Sequence, residues 1–152
     1  MTLTMATATF NAKLHKTATP KVHTISLGAE RVTDVCPPPM LGEVADATSP
    51  HHLFLASIGA CVNLVFEIAL SKARVEVFDL HSDITGDYET DDETGVACFK
   101  TIQIDTNVTI PEGVKASKIE RLFEVAHKNC PIGNCLVGSC VKLITNLDIS
   151  YQ

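Results

Sequence analysis

Residues 49–74 read SPHHLFLASIGACVNLVFEIALSKAR, and the fold turns on what this stretch is. Between Leu53 and Leu70 the plainly polar side chains are Ser57, Asn63 and Glu67, so a helix here is apolar almost all round, and such a helix is buried. At about 100° per residue, Phe54, Ile58, Leu64, Val65 and Ile68 share the face of Cys61, while Leu55, Phe66 and Leu70 lie opposite. Both faces need cover. A membrane span is the rival reading, but the stretch is marginal in length and carries Asn63 and Glu67 inside it, which lipid penalises. A buried core helix is expected, with no membrane partner. Ser49 before Pro50 marks its start, as an N-cap residue followed by proline at the first helical position, where the missing N–H costs nothing.

Upstream, Ala6, Ala8, Phe10, Ala12 and Leu14 alternate with polar residues as in a strand, and residues 21–27 suggest a second strand across a hairpin at residues 17–20. Residues 36–50 hold Pro37, Pro38, Pro39 and Gly42 and form a loop. Downstream, Phe78, Leu80, Ile84 and Tyr88 alternate with acidic and polar residues. An acidic turn over residues 89–95 then leads into a returning strand marked by Cys98, Ile102, Ile104, Val108 and Ile110. Ser117 and Glu120 fit a capping box ahead of an amphipathic helix with Ile119, Leu122, Phe123 and Ala126 on one face. Pro131 breaks that helix and leaves Cys130 at the start of another short turn. Val141, Leu143, Thr145, Leu147, Ile149 and Tyr151 mark a last strand. The order of strands, long helix, hairpin, helix and strand gives an α+β class in which a sheet wraps the apolar helix.

A chain of 152 residues, 45 % of them hydrophobic, suits one domain spanning residues 1–152. Eighteen acidic against twelve basic residues give a formal charge of -6 with no Lys or Arg run, which argues against nucleic acid as a partner. The first residues, MTLTMATATF, lack a charged n-region and an apolar core, so a cytoplasmic protein is expected. Six cysteines in a reducing compartment point to packing, redox chemistry or metal rather than to a disulfide framework.

Cys61 sits inside the apolar helix and Cys130 at a helix start, 69 residues later. A cysteine in apolar surroundings is inert unless a cation stabilises its thiolate, whereas helix N–H groups lower the pKa of one at a helix N-terminus. Spacing alone favours simple packing for Cys61, since free cysteine is among the most buried residue types. Cys130, Cys135 and Cys140 recur every five residues near His127, but zinc sites favour tighter pairs, and five helical residues rotate each sulfur by about 140° from the last. No metal is expected. Cys135 reads as packing or as a substitute resolving thiol, and Cys36 and Cys98 have no assigned role.

Two segments, SPHHLFLASIGAC and EVAHKNCPIGNCL, are similar to the paired cysteine motifs of the OsmC/Ohr family, the osmotically inducible protein C and organic hydroperoxide resistance proteins. The match lies in Pro50 and Leu53 ahead of Ile58-Gly59-Ala60-Cys61, and in Cys130-Pro131. The resemblance covers nearly the whole chain. It implies an OsmC-like fold, with a mostly antiparallel sheet wrapped around a long central helix in an intertwined homodimer. It also implies a thiol peroxidase for small organic hydroperoxides, in which Cys61 attacks the O–O bond, Cys130 resolves the sulfenic acid as a disulfide and an external dithiol restores both. No cofactor is required.

The peroxidases of that family carry a glutamate directly after the helix-start proline, where this chain has His51, and an arginine upstream. Arg31 is the one arginine upstream here, and Lys13 takes the arginine position in one alignment. Lysine lacks the guanidinium fork, and neutral histidine does not orient a cation as a carboxylate does. His51 reads as a base or as an ordinary exposed helix-start histidine. It is ten residues before Cys61 and so about 15 Å away along one helix; if it serves a thiolate, the expectation is a partner subunit's, across an antiparallel helix pair. The departure keeps a second reading in play, a non-peroxidase OsmC-like protein whose thiol-lined pocket binds an apolar ligand or a thiol cofactor.

Overall fold

The computed structural model describes residues 8–28, 32–42 and 44–152. The chain divides into two compact units, Met1–Leu53 and Phe54–Gln152. In the first, β1 (Lys13–Lys16), β2 (His23–Ser26) and β3 (Val32–Val35) form an antiparallel sheet in that order. The turn between β1 and β2 fixes the register: Thr17 donates its backbone N–H and its hydroxyl to the Val22 carbonyl, at 3.0 and 2.9 Å, which sets Lys16 opposite His23. The alternating residues 8–12 lie outside the strand, which begins only at Lys13, and residues 6–7 fall outside the described residues. β3 carries little sequence signal, because its four residues, VTDV, offer only two apolar side chains. The proline loop holds a single 3₁₀ turn, Pro39–Leu41, and returns to β3 through a 2.8 Å bond from Cys36 N–H to the Thr48 carbonyl.

The long helix α1 spans Pro50–Lys72 and starts as the sequence predicts, with the Ser49 hydroxyl accepting the His52 N–H at 3.3 Å. It is long and apolar enough to cross a membrane by length and composition alone, with a mean hydropathy of 2.1. In the second unit, however, its Ile58, Val62, Phe66 and Leu70 are fully buried. They pack with Ile102, Ile104, Val108 and Ile110 of a sheet made by β4 (Asp79–Thr90), β5 (Ala97–Ile110) and β6 (Lys142–Tyr151). Phe66 meets Phe123 edge to face, ring centroids 5.0 Å apart, so the helix α2 (Ala116–Lys128) joins the same core. The opposite face of α1 is bare in the single chain, with Leu64 and Ile68 59 % and 53 % exposed.

The sheet order is β4-β5-β6, with β4 antiparallel to β5 and β6 parallel to β5. The mostly antiparallel expectation thus has one exception, caused by α2 and the short α3 (Pro131–Asn134), which carry the chain back to the starting end of β5. The acidic turn between β4 and β5 closes on Asp91, whose carboxylate accepts the backbone N–H groups of Glu93 and Thr94 at 3.0 and 2.7 Å. A polar chain crosses the apolar layer: the Ser82 hydroxyl donates to Asn63 Oδ1 at 2.6 Å and lies 2.7 Å from the hydroxyl of buried Thr106.

One cap differs from expectation. Helix α2 begins with Lys115 as N-cap and no side-chain cap bond, so Ser117 and Glu120 form no capping box. Val114 immediately precedes the cap, and Ile119 stands four positions into the helix; both join the core cluster. That is the placement of a hydrophobic staple, and apolar burial sets the helix entry two positions ahead of the polar signal.

Candidate active site

Cys61 stands about three turns into α1, between buried Ile58 and Val62, and is half-buried. Cys130 is fully buried and caps α3, its Sγ accepting the Gly133 N–H at 3.3 Å. The local chain explains the position. Asn129 closes α2 through bonds to the Val125 and Ala126 carbonyls, Pro131 takes the first position of α3, and Asn134 donates its amide to the Lys128 carbonyl at 3.1 Å across the joint. Gly133 lies against the sulfur: a Cβ there would stand 3.4 Å from Cys130 Sγ, an ordinary contact. The two thiols are close enough to interact.

Burial pushes the Cys130 thiol up to about 11, assisted by its hydrogen bond to Cys61 and by the Cys61 charge, and opposed by the N–H groups of Gly133 and Ile132. The helix-start expectation of a lowered pKa is therefore overturned. Four residues of helix supply too little dipole to outweigh desolvation of the thiolate. An acid whose pKa is raised on folding stabilises the fold while protonated. Its contribution is full below the unfolded thiol's value of 9.0 and is lost as pH climbs through about 11. Urea unfolding of the reduced protein is expected to show stability falling more steeply from pH 9 to 11 in the wild type than in Cys130→Ser. Parallel curves for the two proteins would refute that assignment.

The other candidates fall elsewhere. His51 is half-buried at the start of α1 and lines an apolar recess of the first unit, about 450 Å³, with Leu14, Val35, Pro37 and Pro50 among its neighbours. Lys13 is exposed on β1 of the same unit, and Arg31 lies outside the described residues. Cys135 is exposed and directs its thiol to the Pro131 carbonyl at 3.4 Å, whereas Cys140 meets Cys98 at 3.8 Å. Cys130, Cys135 and Cys140 thus have separate partners. Among the described residues no three His, Cys, Asp or Glu side chains converge as a metal-ligand set.

His127 stacks on Phe123, ring centroids 6.5 Å apart. Its buried Nδ1 has no hydrogen-bond partner among the described residues, and burial lowers its pKa. Glu67 is exposed, and His81 is an exposed strand residue bonded to Asp79 at 2.8 Å. Sequence reasoning did not find the Asn63, Ser82 and Thr106 chain or the Cys98 and Cys140 pair, because both depend on strand pairing.

A family model described as OsmC-like protein matches residues 43–146. The chain belongs to the OsmC family. Among curated relatives of this OsmC protein is the organic hydroperoxide resistance protein OhrA of Bacillus subtilis, 26 % identical over 117 residues, which cover 75 % of this chain and 72 % of that protein. The OsmC-like protein of Mycoplasma pneumoniae has a TM-score of 0.80 at 16 % identity, covering 94 % of this chain and 98 % of that one. An organic hydroperoxide resistance protein of Elizabethkingia anophelis has a TM-score of 0.72 at 20 % identity, covering 98 % and 100 %. These likenesses show the OsmC-like α+β fold. The family resemblance is to proteins of peroxide resistance.

Proposed function

We propose that this OsmC-family protein is a thiol peroxidase for organic hydroperoxides, with Cys61 as the attacking and Cys130 as the resolving thiol. The supporting observation is the contrast within one adjacent pair: Cys61 is within reach of solvent, while Cys130 is buried and keeps its proton. The Cys61 thiolate attacks the distal oxygen of ROOH; the O–O bond breaks, ROH leaves with a proton, and Cys61 becomes a sulfenic acid. Cys130 sulfur then attacks the Cys61 sulfur. Its proton leaves with the hydroxide as water, and a disulfide remains. An external dithiol reduces that bond by two exchanges and is itself oxidised to a disulfide. The reading needs no metal or cofactor.

In this reading the protein works in the cytoplasm as a homodimer, which would cover Leu64 and Ile68 on the bare face of α1. The test adds one equivalent of organic hydroperoxide to the reduced protein, then maps disulfides by mass spectrometry, with native mass spectrometry of the same sample reading the assembly. A bond between Cys61 and Cys130 in a dimer is expected, reversed by a dithiol. Free thiols at both positions with the hydroperoxide unconsumed would refute the peroxidase and favour the ligand-binding alternative.

A further inference from the structure

The second cysteine pair lies on the opposite border of the segment that carries Cys130. We propose that Cys98 and Cys140 form a second dithiol–disulfide couple, which exchanges with small external disulfides and, when oxidised, ties the start of β5 to the entry of β6. Their sulfurs stand 3.8 Å apart, with Cys140 exposed and Cys98 half-buried. Pairing of β5 with β6 begins at Thr101 opposite Lys142, so Cys98 and Cys140 both lie just before the first rung, and their sulfurs meet where no rung between β5 and β6 holds the two segments. A disulfide needs the two sulfurs about 2.05 Å apart, so closure of this pair requires the side chains to move together.

The chain entering β6 is shaped to aim Cys140 at β5. Gly138 has a φ of 78°, Ser139 N–H donates to the Leu136 carbonyl at 3.0 Å, and the Ser139 hydroxyl accepts the Val141 N–H at 3.1 Å. The positive φ is one that glycine adopts without strain. The chemistry balances without the hydroperoxide site. Cys140, as thiolate, attacks one sulfur of a small disulfide RSSR, forming a mixed disulfide and releasing RS⁻. Cys98 then attacks the Cys140 sulfur and releases the second thiol. Two protein S–H groups are oxidised, and RSSR is reduced to two RSH. Buried Cys130 does not compete, because exchange needs access and a thiolate. Closure of the bond fixes the far end of the turn that begins at α3, so the external thiol–disulfide balance sets the stiffness of the segment holding Cys130.

The test equilibrates full-length protein with oxidised glutathione and maps linkages by peptide mass spectrometry. It compares wild type, the double variant Cys61→Ser/Cys130→Ser, which removes the other pair, and Cys98→Ser. A link between Cys98 and Cys140 is expected in the wild type and in the double variant, with a stable glutathione adduct on Cys140 in Cys98→Ser. Separate glutathione adducts on Cys98 and Cys140 without a link, or both thiols still free, would overturn the couple. The wild-type map decides alone if the double variant does not fold.

Discussion

Replacing Cys61 with serine is expected to abolish consumption of organic hydroperoxide, a loss of more than about a thousandfold, because a serine hydroxyl stays un-ionised at neutral pH and cannot cleave the O–O bond. The variant Cys130→Ser should behave differently. It keeps the nucleophile, so one equivalent of hydroperoxide is consumed in a burst. Turnover then stalls, because the Cys61 sulfenic acid has no thiol beside it and is open to further oxidation. Stopped-flow measurement of peroxide loss, with one and with many equivalents, separates the two. A burst retained in Cys61→Ser and lost in Cys130→Ser would reverse the roles. The asymmetry rests on burial: a thiol with no solvent exposure and a pKa near 11 is poorly placed to meet peroxide first.

Phe66→Ala is expected to destabilise the second unit by about 3–5 kcal/mol, the range for truncating a buried phenylalanine when the cavity does not collapse. Phe66 is fully buried, and its ring meets Phe123 edge to face at 5.0 Å, so the change removes both apolar burial and a ring contact. Domains hold only about 5–15 kcal/mol in all, and the variant would therefore lose a large share of its stability. Urea unfolding followed by far-ultraviolet circular dichroism measures this. A loss below about 1 kcal/mol would contradict the packing of α1 on α2.

The central helix was legible because its signals are local. Ser49 and Pro50 cap it, and the apolar run has no other soluble use than burial. Its rotation was only half legible, since a helix apolar on every face gives no moment to orient it; the structure turns Ile58, Val62, Phe66 and Leu70 inward and leaves Leu64 and Ile68 out. The β4 and β5 hairpin was legible from its period of two, but the parallel partner of β5 was not. Alternation in residues 142–151 shows a strand without showing which way its neighbour runs. For that reason the pairing of Cys98 with Cys140 was hidden. Cys130 was placed correctly at a helix start but given the wrong electrostatics, because desolvation is a property of the packed core and not of the CP dipeptide. His51 and Lys13 were chosen by resemblance, and both belong to the first unit.

The hydroxyl and amide chain under α1 has a consequence for the thiols. Asn63 on α1 is held by Ser82, which also bonds Thr106 on the neighbouring strand, so a helix slid by one turn, about 5.4 Å, would leave the Asn63 amide oxygen without this partner while Ser82 and Thr106 kept each other. A buried polar group left unsatisfied costs about 1–3 kcal/mol. The chain therefore acts as an index pin for the helix. Asn63 follows Cys61 by two residues, so whatever fixes the pin also fixes the height of the Cys61 sulfur against its buried neighbour.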